Sequence, residues 1–223
     1  MKIFAGKGAG MFGRGGVRDI LCIGLLTALT AVAGISSGTA LHVGPTVRAP
    51  SVDGELSDQC WRDATMASGF ITTFAQWVGR QTTALVTYDD TSLYLAFRCE
   101  EPTPEKLTAR AVRRDSNQIF SDDNVEFFLD TNYDRETYYH FVVNPAGKSY
   151  EAYCHTSDKE AIREEDWDPD WQLTTRVGID HWVAEIAIPF AALGTARPKP
   201  GSVWGLNLNR SQRLDARDGT YSS

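Results

Sequence analysis

Positive charge is in short supply. The chain sets 22 Lys and Arg against 29 Asp and Glu, for a net charge of −7. It therefore lacks the basic face that non-specific nucleic-acid binding requires. Histidine is scarce as well: His42, His140, His155 and His181 show none of the spacings that bind zinc. There is no G-x-S-x-G elbow, no phosphate-binding loop and no dinucleotide fingerprint. These absences remove the usual sequence marks of nucleophilic hydrolysis and of nucleotide chemistry. Cysteine is limited to Cys22, Cys60, Cys99 and Cys154. The last three fall in the main body, and an odd number permits at most one internal disulfide. Helical periodicity is sparse, and no internal repeat or long linker divides residues 41–223.

The first forty residues differ from the rest. "MKIFAGKGAGMFGRGGVRD" is rich in Gly and carries Lys2, Lys7, Arg14 and Arg18; "ILCIGLLTALTAVAGI" is uncharged; "SSGTA" is made of small and polar residues. Basic, apolar, then small is the order of a secretory signal, with cleavage expected after Ala40. The apolar run is shorter than the ~20 residues of a spanning helix, so a membrane anchor is the lesser expectation. Residues 1–40 thus read as a signal peptide. Residues 41–223 read as one domain, secreted, periplasmic or at the cell surface. Loss of the leader would make the remaining chain more acidic still. That suits a neutral ligand better than an anionic one.

What the body does contain is short runs of alternating polarity. "ALVTYDDTSLYLAFRC" reads as two strands about an Asp-Asp-Thr-Ser turn, with Leu93, Leu95 and Phe97 on one face. "NVEFFLD" is a third strand. "YYHFVVN" and "KSYEAYCH" flank Pro-Ala-Gly as a hairpin, and "WQLTTRVG" and "WVAEIAIP" form another. In "SVWGLNLNR", Trp204, Leu206 and Leu208 share one face and Gly205, Asn207 and Asn209 the other. Single helical turns are expected around Trp61 and at Pro189–Leu193. Strands at this spacing predict an all-β, antiparallel β-sandwich of jelly-roll or immunoglobulin-like type. The sequence ends on "DARDGTYSS", a turn followed by a strand start, so the sandwich is expected to lack its final strand.

Acids concentrate in "IFSDDNVEFFLDTNYD". Glu126 and Asp130 lie four residues apart on one strand, roughly 13 Å. That is too far for a retaining glycosidase pair and long for an inverting one. Asp122 and Asp123 read as residues that shape the start of the strand. Asp130, Asn132 and Asp134 alternate like part of a calcium loop but lack the central Gly and the full spacing. Calcium there would be structural. Aromatics are the richest signal. Trp61, Trp182 and Trp204 read as core, whereas Trp77, Trp167 and Trp171 sit in loops or strand ends where surface roles are expected. Sugar rings pack C–H faces on aromatic planes and need a few oriented hydrogen bonds.

In order along the chain, "VDGELSDQCWRDA", "TALVTYDDTSLYLAFRCEEP", "DDNVEFFLD", "YYHFVVNPAGKSYE", "WDPDWQLTTRVGIDHWVAEIAIPFAAL" and "GSVWGLNLNRSQR" resemble carbohydrate-binding module family 9 and its family 9-like domains. The resemblance spans roughly residues 45–221. It implies a β-sandwich that binds sugar without cleaving it, attached to or working beside a glycoside hydrolase in polysaccharide breakdown. The alternatives are the leading module of a longer hydrolase, which would hydrolyse O-glycosyl bonds elsewhere, and a cell-surface docking domain without ligand.

In that family two Trp side chains grip the end of a glycan, a Glu, an Arg and amides bond its hydroxyls, and calcium serves structure. The Glu falls on Glu126. The first clamp Trp falls at or near Phe120, an aromatic of smaller area. The Arg falls on Val142 and is absent. Asn144 matches the Asn that follows, and His140 lies two residues before the lost Arg. The second clamp Trp would fall just past Ser223. The resemblance thus implies a carbohydrate site of Glu126, Phe120, Asn144 and His140, no catalytic residues, and an oligo- or polysaccharide partner.

Overall fold

The computed structural model describes residues 1–5, 39–72, 75–157, 160–213 and 219–222. Most of the expected leader, residues 6–38, lies outside the described residues. The chain runs through β1 (Lys2–Ala5), β2 (Thr39–His42), the helical turn α1 (Gln59–Asp63), β3 (Thr65–Ala67) and β4 (Ile71–Thr72). It continues with β5 (Thr82–Tyr88), β6 (Ser92–Glu100), β7 (Asn124–Asp130), β8 (Tyr138–Val143) and β9 (Ser149–Ser157). It ends with β10 (Glu160–Glu164), β11 (Gln172–Val177), β12 (His181–Pro189), β13 (Val203–Gln212) and β14 (Gly219–Ser222).

Among the described residues these strands form two sheets. The larger has nine strands in the order β10-β9-β8-β7-β13-β1-β2, and β14 joins it between β13 and β4. The smaller is β11-β12-β6-β5-β3. The expected hairpins are all present. β8 and β9 turn through Pro145–Gly147, where Gly147 takes a positive φ. β11 and β12 turn through Gly178–Asp180. The segment after Pro189 forms turns rather than a helix, through bonds from Ala192 and Leu193 N–H back to Pro189 and Phe190 carbonyls.

Period-two alternation explains the layering. Val125, Phe127 and Leu129 of β7, Phe141 and Val143 of β8, and Trp204, Leu206 and Leu208 of β13 are buried on one face. They meet Val86, Leu95, Phe97, Trp182, Ile186 and Ile188 of the smaller sheet in a single cluster. Phe127 and Phe141 stack at its centre with ring centroids 4.8 Å apart. Burying such side chains contributes ~1.5–3 kcal/mol each, the main term holding the layers together.

One sequence expectation needs correction here. The strand start read in "GTYSS" forms β14, which pairs antiparallel with Asn209–Gln212 on one side and with Ile71–Thr72 on the other. Trp167 and Trp171 are not surface platforms. They pack edge-on against Phe141, and Trp167 also lies 4.8 Å from the Tyr139 ring, so both extend the core. Trp61, Trp182 and Trp204 are buried as expected. The structure adds β1, which pairs parallel with Val203–Leu206 and antiparallel with Thr39–His42 and buries Ile3.

A second small cluster covers the far side of the five-stranded sheet, where Cys60 and Trp61 of α1 pack on Tyr94, Ala96 and Ala187. Glu185 fixes it. Its fully buried carboxylate accepts from the Asp53 and Gly54 N–H groups at 3.0 and 2.8 Å and from Trp61 Nε1 at 2.6 Å. Gly54 sits at φ +82, and a Cβ there would press on Arg176. The segment "VDG…W" is therefore a strap tied to one acid.

Glu185→Gln turns one acceptor into a donor facing donors, and it is expected to cost about 2 kcal/mol in denaturant unfolding. Burial outweighs the three donors and lifts the Glu185 carboxyl above the ordinary glutamate range. An acid raised in the folded state contributes its full stability below its unfolded pKa and loses it as pH rises through the folded value. The penalty of Glu185→Gln is thus expected to be larger at acidic than at neutral pH, read from unfolding midpoints across that range. A penalty that grows with rising pH would contradict this assignment.

Candidate functional site

The outer face of the nine-stranded sheet is not uniformly wet. Residues that alternate away from the core collect there: Glu126 and Phe128 of β7, Tyr138, His140 and Val142 of β8, Tyr150 and Ala152 of β9, and Asn207 and Asn209 of β13. The strand register sets two cross-strand rows. In one, Asn209, Glu126, Val142 and Tyr150 stand opposite one another in turn. In the other, Asn207, Phe128, His140 and Ala152 do.

Glu126 is the chemically available group. Its side chain keeps 17% exposure, while its partner His140 keeps 3%. His140 Nε2 lies 3.1 Å from Glu126 Oε2. An ionised carboxylate only accepts, so Nε2 donates. The imidazole is fixed by rings: Phe128 stacks on it at 4.3 Å and 11°, and Phe120 and Tyr150 lie 5.9 and 5.8 Å away. At Val142, opposite Glu126, the side chain is apolar and buried. The diagonal neighbour His140 supplies the donor that faces the carboxylate. The remaining Glu126 oxygen can accept from a ligand hydroxyl.

Phe120 reaches this face from a turn of 3-10 helix, Asn117–Ser121, and packs edge-on to Tyr150 at 4.9 Å. What holds the turn in place is Asp122. Its buried carboxylate accepts from Arg110 N at 2.7 Å, Ala111 N at 3.0 Å and Asn144 Nδ2 at 2.9 Å. Asp123 accepts from Thr108 N and Arg213 N at 2.8 and 3.0 Å. Burial lifts the Asp123 carboxyl above the usual aspartate range in spite of those donors. Both acids therefore act as backbone acceptors that lay residues 108–123 across the sheet.

The structure brings Glu126, His140 and Phe120 together. Asn144 is placed differently. It is fully buried; its amide donates to Asp122, and its carbonyl accepts from Ala146 N and Lys148 N at 3.1 and 2.9 Å. It organises the β8–β9 turn. Asp130, Asn132 and Asp134 also belong to a turn. Asp130 accepts from Asp134 and Arg135 N–H, and Asp134 accepts from Glu136 N, Thr137 N and the Thr137 hydroxyl. Among the described residues no group of three His, Cys, Asp or Glu side chains converges to hold a metal ion. Phe128, Asn207 and Asn209 are additional residues of the face. The alternation in "GLNLN" carries the signal for the two Asn.

A profile of the family described as carbohydrate family 9 binding domain-like matches residues 52–222. No curated protein matches the sequence. Solved structures share the fold, three of them as follows. A carbohydrate binding module family 9 from Caldicellulosiruptor kristjanssonii in complex with glucose is 19% identical, with a TM-score of 0.58 over 81% of this chain and 84% of that one. A carbohydrate binding module family 9 from the same organism, in complex with cellotriose, is 17% identical, with a TM-score of 0.55 over 81% and 82%. A putative carbohydrate-binding protein from Bacteroides uniformis is 14% identical, with a TM-score of 0.61 over 81% and 86%.

Asp122→Ala would strand three donors in the interior at ~1–3 kcal/mol each, softened by relaxation of the loop. The expected result is a loss of at least ~2 kcal/mol in unfolding free energy. Hydrogen exchange at the amides of Arg110 and Ala111 should speed up before the β7 amides do. Unchanged exchange at those two positions would show that Asp122 does not hold the loop.

Proposed function

The chain belongs to the carbohydrate family 9 binding domain-like family, and we propose that it binds carbohydrate without cleaving it, on the outer face of its nine-stranded sheet. The observation that carries the reading is Glu126: a partly exposed carboxylate between Asn209 and an aromatic-backed histidine. A sugar asks for that combination. Its hydroxyls donate to the carboxylate and bond the Asn209 amide. Its C–H faces pack on the rings of Phe128 and Phe120. Chain acidity agrees with a neutral ligand.

Cleavage is outside this reading for a geometric reason. Glycosidic hydrolysis uses two carboxyl groups across the scissile bond. The acids nearest Glu126 in sequence, Asp122, Asp123 and Asp130, are buried and accept from backbone N–H groups, Asp122 also from the Asn144 amide. That leaves binding as the chemistry the face supports.

The reading extends to context. The ligand is an oligo- or polysaccharide, and the glucose and cellotriose complexes of the similar structures support glucose-type units as first probes. The chain is exported by residues 1–40 and serves polysaccharide breakdown beside a glycoside hydrolase, attached or separate. The β1 pairing then belongs to the chain before its leader is cut.

Calorimetric titration of the protein with cello- and xylo-oligosaccharides tests the reading. Glu126→Gln keeps the shape and removes the charge-assisted bonds. Affinity is expected to fall about tenfold, in line with ~1.5 kcal/mol for a hydrogen bond to a charged group. The melting temperature should stay close to that of the unaltered chain. A glycan that binds the two proteins equally well would move the site away from Glu126.

A further inference from the structure

One exposed aromatic takes no part in the site as built from β7, β8 and β13. Trp77 is 70% exposed, whereas Trp61, Trp182 and Trp204 are buried. The position of Trp77 follows from four successive pairings. Glu126 stands opposite Asn209 across β7 and β13. Asn209 stands opposite Ser222 across β13 and β14. Ser222 stands opposite Ile71 across β14 and β4, and Ile71 forms an antiparallel bridge to Trp77. Residues directly opposite in antiparallel strands share a face. The row that begins at Glu126 therefore ends at Trp77.

The chain neighbours give a second, independent check. Phe70 and Val78 flank Ile71 and Trp77 and are 0% and 5% exposed. Val125 and Phe127 flank Glu126, and Leu208 and Arg210 flank Asn209; all four are buried. The inward neighbours of Glu126 and Asn209 turn those two residues outward, and Ile71 follows Phe70 of the core while Trp77 precedes buried Val78. Four interstrand steps of about 4.8 Å place Trp77 roughly 19 Å from Glu126 along the row. That span exceeds a single sugar ring several times over. Neighbouring strands also rotate by roughly 20°, so a ligand lying along the row turns with it.

We propose that Trp77 is the stacking platform of a second, distal subsite, so that the face holds a linear oligosaccharide across the strands with one part at Glu126 and Asn209 and another on the Trp77 indole. The proposal rests on the reading of Glu126 as a sugar-binding group and adds to it a preference for chain length. A monosaccharide reaches only the Glu126 end. A chain that spans the row gains the indole contact. Aromatic packing of this kind is worth about fivefold to tenfold in affinity.

The test is calorimetric titration of the full chain with two series, glucose through cellohexaose and xylose through xylohexaose, for the unaltered protein, Trp77→Ala and Glu126→Gln. The expected pattern is an affinity that rises with chain length in the unaltered protein. Trp77→Ala should lose about fivefold to tenfold for the longest chains and nothing for the short ones. Glu126→Gln should weaken all lengths together. Iodide quenching of tryptophan emission supplies a readout on the unaltered protein. Long chains should shield the exposed indole and glucose should not. Affinity that is flat with length, or a length gain that survives Trp77→Ala, or quenching that long chains leave unchanged, overturns the distal subsite while leaving Glu126 in place. If no sugar of either series binds, the reading of Glu126 and the subsite built on it fall together.

Discussion

A carboxylate taken out of water must find donors, and Asp122 finds three of them in two different segments. That requirement organises the molecule. Asp122 ties residues 110 and 111 and the β8–β9 turn to the start of β7, and Phe120 rides on the same piece of chain. Asp123 ties the end of β13 to residue 108. On the other sheet, Glu185 ties the Asp53–Trp61 strap. In each case a long, irregular segment has few backbone partners of its own, and one buried acid supplies several. The cost of burying the charge is met by the N–H groups the loop would otherwise leave unpaired.

This division of labour separates the acids by role. Asp122, Asp123 and Asp130 take backbone donors and are buried. Glu126, among the acids of β7 and its approach, pairs with His140 and keeps a solvent-facing edge. Beyond its bond to Glu126 the histidine is held by rings, so its position depends on Phe128, Phe120 and Tyr150 filling the space around it. The site is thus an aromatic frame around one polar pair, and the loop laid down by Asp122 closes its side.

Much of this was legible in the residues. Alternation in "NVEFFLD", "YYHFVV" and "VWGLNLN" assigned the core face and its opposite, because a one-residue period error would have turned Phe127 and Leu208 to solvent. Turn residues located the hairpins. The β-sandwich and the family followed from the order of these segments. What was illegible is whatever depends on pairing between distant strands. Nothing local to "WDPDW" tells that Trp167 and Trp171 close over Phe141, or that Asn144 spends its amide on Asp122. The partition into two sheets, the brief β14 and the placement of β1 beside β13 are decided by contacts more than a hundred residues apart for β1 and β4. The alignment of Trp77 with Glu126 is of the same kind, since it passes through four strands.

The three cysteines of the described body lie in three separate packed groups. Cys60 lies on α1 against the five-stranded sheet, Cys99 lies within the core, and Cys154 lies beneath the aromatic face. None is paired, and burial raises each thiol above its usual range. The fold thus carries no covalent cross-link among them. Each thiol becomes reactive only when its own layer opens. The molecule therefore holds three built-in clocks: the pace at which a thiol reagent reaches each sulfur measures how often the strap, the core and the floor of the site come apart.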